Sequence, residues 1–264
     1  MRVLPIPCLS DNYAYLVICD ETKAAAIVDP STLADTEAAI DALSRSGITL
    51  REVWATHHHG DHVGGVEDVC KRFGVDTVVG FEPDRARLPR LTLGLTDGGR
   101  HALGTIKIRA MHVPGHTSGA LAYVCEAAGH SSCVFSGDTL FAAGCGRLFE
   151  GTPAEMHASL DRLATLDGET SVYPGHEYTV ANLLFAAHLE PSNESVSTSL
   201  ARARALRAKG EPTIPTTIAE ERTHNPFLRS GEPSLRAGLS LPASASDVEV
   251  FAATRKAKDT FVAP

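Results

Sequence analysis

Apolar and polar residues repeat at two different periods along this chain, and the points where the period changes mark out its elements. Arg2 to Ile6, Tyr13 to Cys19 and Ala24 to Val28 read as strands, the last running into Asp29-Pro30. Leu33, Ile40 and Leu43 then recur at helical spacing. Gly47 reads as that helix's stop, because glycine enters the left-handed conformation without a Cβ penalty. Arg51 to Thr56 is again strand-like, and Val63, Val66, Cys70 and Phe73 return to the helical period. Thr105 to Val113 sets Ile106, Ile108 and Ala110 against Lys107 and Arg109, the alternation of a half-buried strand, and Ala120 to Cys125 and Ser132 to Phe135 continue the sheet. Thr152-Pro153-Ala154-Glu155 supplies an N-cap, a proline at the first helical position and a capping-box glutamate, ahead of Met156, Leu160, Leu163 and Leu166 on one face. Val172-Tyr173 is a last strand. From Tyr178 onward the pattern is helical, with Val180 to His188 and Val196 to Lys209 joined by connections around Pro212, Pro215 and Pro226.

Strand and helix thus alternate up to about residue 176, and helices follow. Periodicity permits two domains with a boundary there, and 264 residues can bury a sizeable core in either arrangement. A net charge of −8 disfavours a general nucleic-acid or anionic-membrane surface. The N-terminal Met1-Arg2-Val3-Leu4-Pro5-Ile6-Pro7 lacks the apolar run of a signal peptide and no later stretch reads as a membrane span, so a cytoplasmic protein is expected. Six cysteines are scattered without a Cys-x-x-Cys pair, which predicts reduced, mostly buried thiols rather than a disulfide framework.

Chemistry concentrates in His57-His58-His59-Gly60-Asp61-His62, directly after a strand. Neutral imidazole and carboxylate are the usual ligands of borderline cations such as zinc. In an extended segment the side chains of His57 and His59 leave the same face and His58 the other, so the first two can share an ion. Asp61 and His62 follow where the chain turns toward a helix, which suggests a second ion. Three further islands carry single candidates in glycine-bearing turns: His116 in Pro114-Gly115-His116-Thr117, Asp138 in Ser136-Gly137-Asp138-Thr139 and His176 in Pro174-Gly175-His176-Glu177-Tyr178. Asp29, at a strand end, is placed to hydrogen-bond a ligand histidine from behind, and His58 to face groups outside the ligand set. His101, His112, His130, His157, His188 and His224 lack partners at ligand spacing and read as surface or core residues.

Thr56-His57-His58-His59-Gly60-Asp61-His62, followed by His116, Asp138 and His176, resembles the metallo-β-lactamase superfamily. Phe141-Ala142-Ala143-Gly144-Cys145-Gly146-Arg147, Gly175-His176-Glu177-Tyr178-Thr179 and Asn225-Pro226-Phe227-Leu228-Arg229 narrow the likeness to the glyoxalase II family, the hydroxyacylglutathione hydrolases. The resemblance implies an α/β fold: a four-layer αβ/βα sandwich over residues 1–176 as catalytic domain, with a smaller helical substrate-binding domain over 177–264. It implies that His57, His59 and His116 hold one cation and Asp61, His62 and His176 another, with Asp138 bridging. Asp61 would also orient the nucleophile. Arg147, Tyr178, Arg255 and Lys258 match the family's contacts to the anionic substrate. Phe149 stands where members often carry tyrosine, which removes one hydroxyl contact.

The activity so implied is hydrolysis of S-(2-hydroxyacyl)glutathione, above all S-D-lactoylglutathione, to glutathione and a 2-hydroxy acid by a hydroxide shared between two metal ions. A thiol has a pKa of about 8.5 and leaves without a strong general acid, so neither Ser118 nor Cys145 is needed as a nucleophile. Two divalent ions per chain are expected, zinc first, with iron or manganese compatible with the same nitrogen and oxygen donors. The partner is a small glutathione thioester, with no nucleic acid or membrane, and the chain is expected to be a monomer. The rival is a mono-iron glutathione persulfide dioxygenase, which Asp61, His62 and His176 disfavour. A secreted lactamase, an RNA phosphodiesterase and a ligand-depleted interaction protein fit the sequence less well.

Overall fold

A computed structural model describes residues 1–262 and divides the chain into two compact units, Met1–Val113 with Gly119–Gly137, and Pro114–Ser118 with Asp138–Pro264. This is a different partition from the one at residue 176. The loop 114–118 belongs to the second unit because its hydrogen bonds run there: Ser159 Oγ donates to the Pro114 carbonyl at 2.7 Å, and Gly151 N to that of Gly115 at 3.0 Å.

In the first unit, β1 (Arg2–Cys8), β2 (Asn12–Cys19) and β3 (Ala24–Val28) form an antiparallel meander. After α1 (Leu33–Arg45), β4 (Thr49–Trp54) joins β3 in parallel, and β5 (Thr77–Phe81) and β6 (Leu93–Leu95) extend the sheet the same way. A change of period just after β4 becomes two helices rather than one, α2 (Gly60–Val63) and α3 (Val66–Phe73). A second set of strands is antiparallel throughout, in the order β7 (Arg100–Leu103), β8 (Ile106–His112), β9 (Leu121–Glu126) and β10 (Cys133–Gly137).

Strand β2 explains the layering. It is buried along its whole length because it has a layer on each side. Ala14, Leu16 and Ile18 face Ile40 and Leu43 of α1 and Val66, Val69 and Cys70 of α3 in one apolar cluster. Tyr15 points the opposite way and meets Phe135 of β10 at 5.4 Å between ring centroids, beside Trp54 and Tyr123, themselves 5.4 Å apart. A polar bridge crosses this second face: Glu52 accepts from Trp54 Nε1 at 2.6 Å and lies 2.8 Å from His101 Nε2, which ties β4 to β7.

The second unit is mainly helical. It holds the small hairpin β11 (Leu140–Phe141) and β12 (Gly144–Cys145), then α4 (Pro153–Ala164), β13 (Ser171–Pro174), α5 (Thr179–Leu189), α6 (Glu194–Arg207), β14 (Thr216–Thr217), α7 (Ile218–His224), α8 (Pro233–Gly238) and α9 (Asp247–Thr260). The capping box at Thr152 forms as its sequence predicts, and Thr217/Glu220 and Ser246/Glu249 repeat the device at α7 and α9. Leu166 lies beyond the end of α4. Fully buried Glu221 accepts from Ala143 N at 2.9 Å and from Asn225 Nδ2 at 2.8 Å, and Asn225 Nδ2 also donates to Gly144 O at 3.0 Å. These bonds fix the β11–β12 hairpin just ahead of Arg147. All six cysteines are free and buried, and among the described residues no helix is long and apolar enough to cross a membrane.

Candidate metal centre

In the first unit the ligand run begins where β4 ends and continues into α2, whose first residues include Asp61 and His62. Asp29, with φ +49 at the turn after β3, is the carboxylate behind it and is 3% exposed. Its Oδ1 accepts from Thr56 N at 2.8 Å; its Oδ2 accepts from Thr56 Oγ1 at 2.6 Å and lies 3.0 Å from His62 Nδ1.

These contacts assign protons. A carboxylate only accepts, so His62 carries its hydrogen on Nδ1. The Thr56 hydroxyl spends its hydrogen on Asp29, so His57 Nδ1, 3.0 Å from Thr56 Oγ1, is the donor of that pair. In each ring Nε2 is therefore the nitrogen left to face a proton donor or a metal ion. The Nε2 of His57 lies 3.1 Å from His59 Nδ1, and that of His62 3.6 Å from Asp61 Oδ2. Asp29, His57 and His62 have ligand atoms within 4.8 Å of one another, but the direction of these hydrogen bonds makes Asp29 the group that orients the two imidazoles.

In the second unit three separate loops converge on one oxygen. Asp138 Oδ2 is 3.3 Å from His116 Nε2 and 3.3 Å from His176 Nε2, and all three side chains are at most 8% exposed. His116 Nδ1 lies 2.9 Å from the Arg147 carbonyl, which can only accept, so Nδ1 carries a hydrogen and in a neutral ring Nε2 would face Asp138 with a lone pair. A lone pair facing a carboxylate oxygen at that range is repulsive unless a positive charge, proton or metal ion, lies between them. The donor set and its tautomers thus fit a cation of the borderline class. The His116 loop is clamped by Glu150 Oε2, which accepts from Ser118 N and Ser118 Oγ at 2.7 Å each. Close to it, Gly146 has no room for a side chain: a Cβ there would overlap the Asp138 carbonyl oxygen and lie 3.0 Å from His116 Nδ1.

The cationic residues gather in the same unit. Arg255 is only 6% exposed; its Nη2 donates to Asp259 Oδ1 at 2.8 Å, its Nη1 to the Cys145 carbonyl at 2.9 Å, and it lies over the Phe227 ring at 5.1 Å. Arg147 is exposed and 3.9 Å from the same Asp259 oxygen. Lys258 donates to the Ala181 carbonyl at 3.1 Å and lies 5.4 Å from the Phe185 ring centroid. Burial, with nearby Arg255 adding to it, lowers the Lys258 ammonium to about 8. Burial also pushes the Cys145 thiol up to about 12, which makes it inert as a nucleophile. Tyr178 stacks on His176, with centroids 4.8 Å apart and planes 4° from parallel, while exposed Phe149 sets its ring 5.2 Å from that of His116. Asp259, Glu150 and the partners of His58 were not among the sequence candidates. The spacing of Arg255 and Asp259 on one helix face was the one legible signal among them.

Residues 10–176 match the family model of the metallo-beta-lactamase superfamily, and residues 177–261 match that of the hydroxyacylglutathione hydrolase C-terminus. A hydroxyacylglutathione hydrolase of Methylococcus capsulatus is 45% identical over 261 residues, covering 99% of both chains. Among solved structures, ETHE1 from Myxococcus xanthus superposes with a TM-score of 0.67 at 26% identity over 97% of each chain. TTHA1623 in a di-iron-bound form gives 0.57 at 26% identity, over 86% of this chain and 100% of the other.

Proposed function

The chain belongs to the hydroxyacylglutathione hydrolase, or glyoxalase II, family of the metallo-β-lactamase superfamily and is a thioester hydrolase of that family; from this we propose that it cleaves S-(2-hydroxyacyl)glutathione, with S-D-lactoylglutathione the foremost substrate. The observation that carries the metal part of this reading is the approach of two imidazole nitrogens to the single Asp138 Oδ2. In this reading His57, His59 and His116 hold one cation, Asp61, His62 and His176 the other, and Asp138 serves both. Two divalent ions bound there would supply hydroxide at neutral pH and polarise the thioester carbonyl.

The remaining work falls to the side chains. Asp29 and Thr56 keep the Nε2 atoms of His57 and His62 deprotonated and aimed, and Asp61 orients the attacking water. The thiolate departs without a dedicated acid because its conjugate thiol is already weakly acidic, with a pKa of about 8.5. Arg147, Lys258 and Tyr178 receive the glutathione carboxylates and amides, with buried Arg255 adding positive charge beneath them. Residues 1–176 act as the catalytic domain and 177–264 as the substrate-binding one. Zinc is the proposed native ion, and the di-iron form of TTHA1623 supports a site that also accepts iron.

Purified protein given S-D-lactoylglutathione should release free thiol as the thioester absorbance falls, with two metal ions per chain by elemental analysis. Oxygen uptake with glutathione persulfide, one iron per chain and no thioester loss would replace this reading with the dioxygenase.

A further inference from the structure

We propose that Asp84 is a positioning residue for His57 and His59, acting through the ring of His58, and that this accounts for a histidine at the middle of the triple run; it rests on the metal reading above. His58 is the one member of that run left without a role there. Its ring packs edge-on against that of His59, with centroids 4.9 Å apart, rather than leaving by the opposite face as strand alternation would have it, because β4 has already ended at Trp54, and it meets a built pair of charges. Asp84, only 5% exposed, ends the short turn Glu82–Asp84 after β5. Arg87 grips Asp84 Oδ1 through Nε at 2.6 Å and Nη2 at 2.5 Å. The other carboxylate oxygen lies 3.3 Å from His58 Nδ1, and Arg87 Nη1 lies 3.4 Å from His58 Nε2. Each ring nitrogen therefore faces one member of the ion pair.

The consequence for the ligands is mechanical. With its ring held between Asp84 and Arg87, His58 anchors the backbone that carries both neighbours, and release of that anchor would loosen the 3.1 Å approach of His57 Nε2 to His59 Nδ1. Asp84 also supports the backbone ahead of β9. Gly119 follows the His116 loop directly, and a Cβ there would collide with the Asp84 carboxylate, so its backbone rests on that carboxylate. A buried acid made costly by desolvation, with one partner at the surface and one in the ligand run, serves no packing need that an apolar side chain would not meet better. Its geometry points to alignment of the ligand run.

The test uses the full chain with two ions bound and compares wild type, Asp84→Asn, His58→Gln and the double variant. Zinc is withdrawn by a graded chelator series, and thermal unfolding of the stripped proteins is followed by circular dichroism. Asp84→Asn should weaken one of the two zinc ions about 10- to 100-fold, leave the other unchanged and leave the stripped protein's unfolding temperature at the wild-type value. His58→Gln should match it, and the double variant should be no worse than either single change. Arg87→Met, at the surface, should give the same pattern in weaker form. Equal retention of both ions in Asp84→Asn, additive losses, or a loss of both ions together with a lower unfolding temperature of the stripped protein would each overturn the proposal. Wild type that binds fewer than two zinc ions would instead overturn the metal reading, and this inference with it.

Discussion

The two groups of residues in the proposed ligand set are built in different ways. In the first unit four candidate groups arrive within one short run, and the bond between Thr56 and Asp29 holds them from behind, so their arrangement is mostly a local matter of a strand ending and a helix beginning. In the second unit His116, Asp138 and His176 come from three loops far apart in sequence and meet at one carboxylate oxygen. The first half depends on hydrogen-bond direction, the second on close packing of backbone around the loops. The first should therefore respond to loss of a proton acceptor and the second to added volume.

Five substitutions would break or sharpen this contrast. The largest effect is expected from Asp138→Ala, which removes the oxygen shared by two imidazoles. kcat should fall at least about a thousandfold, a few kcal/mol at about 1.4 kcal/mol per decade, and metal content should drop below two ions per chain by elemental analysis. Asp29→Asn comes next. It keeps the shape but can no longer accept from both Thr56 and His62 as an anion, and chelator competition should show metal affinity down about 10- to 100-fold for both ions, since the proposed function assigns His57 and His62 to different ions.

A pair of glycines tests volume directly. Gly146→Ala must push apart the Asp138 carbonyl and the His116 ring, whereas a Cβ on Gly60, at the start of α2, meets nothing within 4 Å. The first variant should lose metal and activity together. The second should keep both and unfold at the same or a slightly higher temperature, worth up to about 1 kcal/mol. A Gly60→Ala protein as impaired as Gly146→Ala would remove the distinction between the two halves.

The smallest effect concerns pH. Lys258 is lowered to about 8, so it carries its charge below that pH and loses it above. KM for the anionic thioester should climb as pH rises from 7 to 9, and Lys258→Arg, which stays charged throughout, should flatten that rise. A KM profile identical in the two proteins would remove Lys258 from substrate binding.

Read alone, the sequence determined what short-range physics can specify. Period and capping chemistry placed β1 to β4 of the first sheet but not β5 and β6, and they placed the α4 capping box and the helical C-terminal region; the types and spacing of His57 to His62 pointed to a metal site because ligand chemistry is written in residue identity. It also indicated Asp29 as a partner of a ligand histidine ahead of a purely turn-forming role, since carboxylates behind ligand imidazoles commonly hydrogen-bond them. The tertiary structure decided what depends on groups distant in the chain. It brought Asp138 within 3.3 Å of two histidines, set Arg255 inside the fold with Asp259 as its partner, gave His58 the Asp84–Arg87 pair, and grouped the His116 loop with α4 rather than with the sheets. Those outcomes rest on packing and on the cost of leaving a buried charge or donor unsatisfied, and such costs are settled only when the whole chain has closed around them.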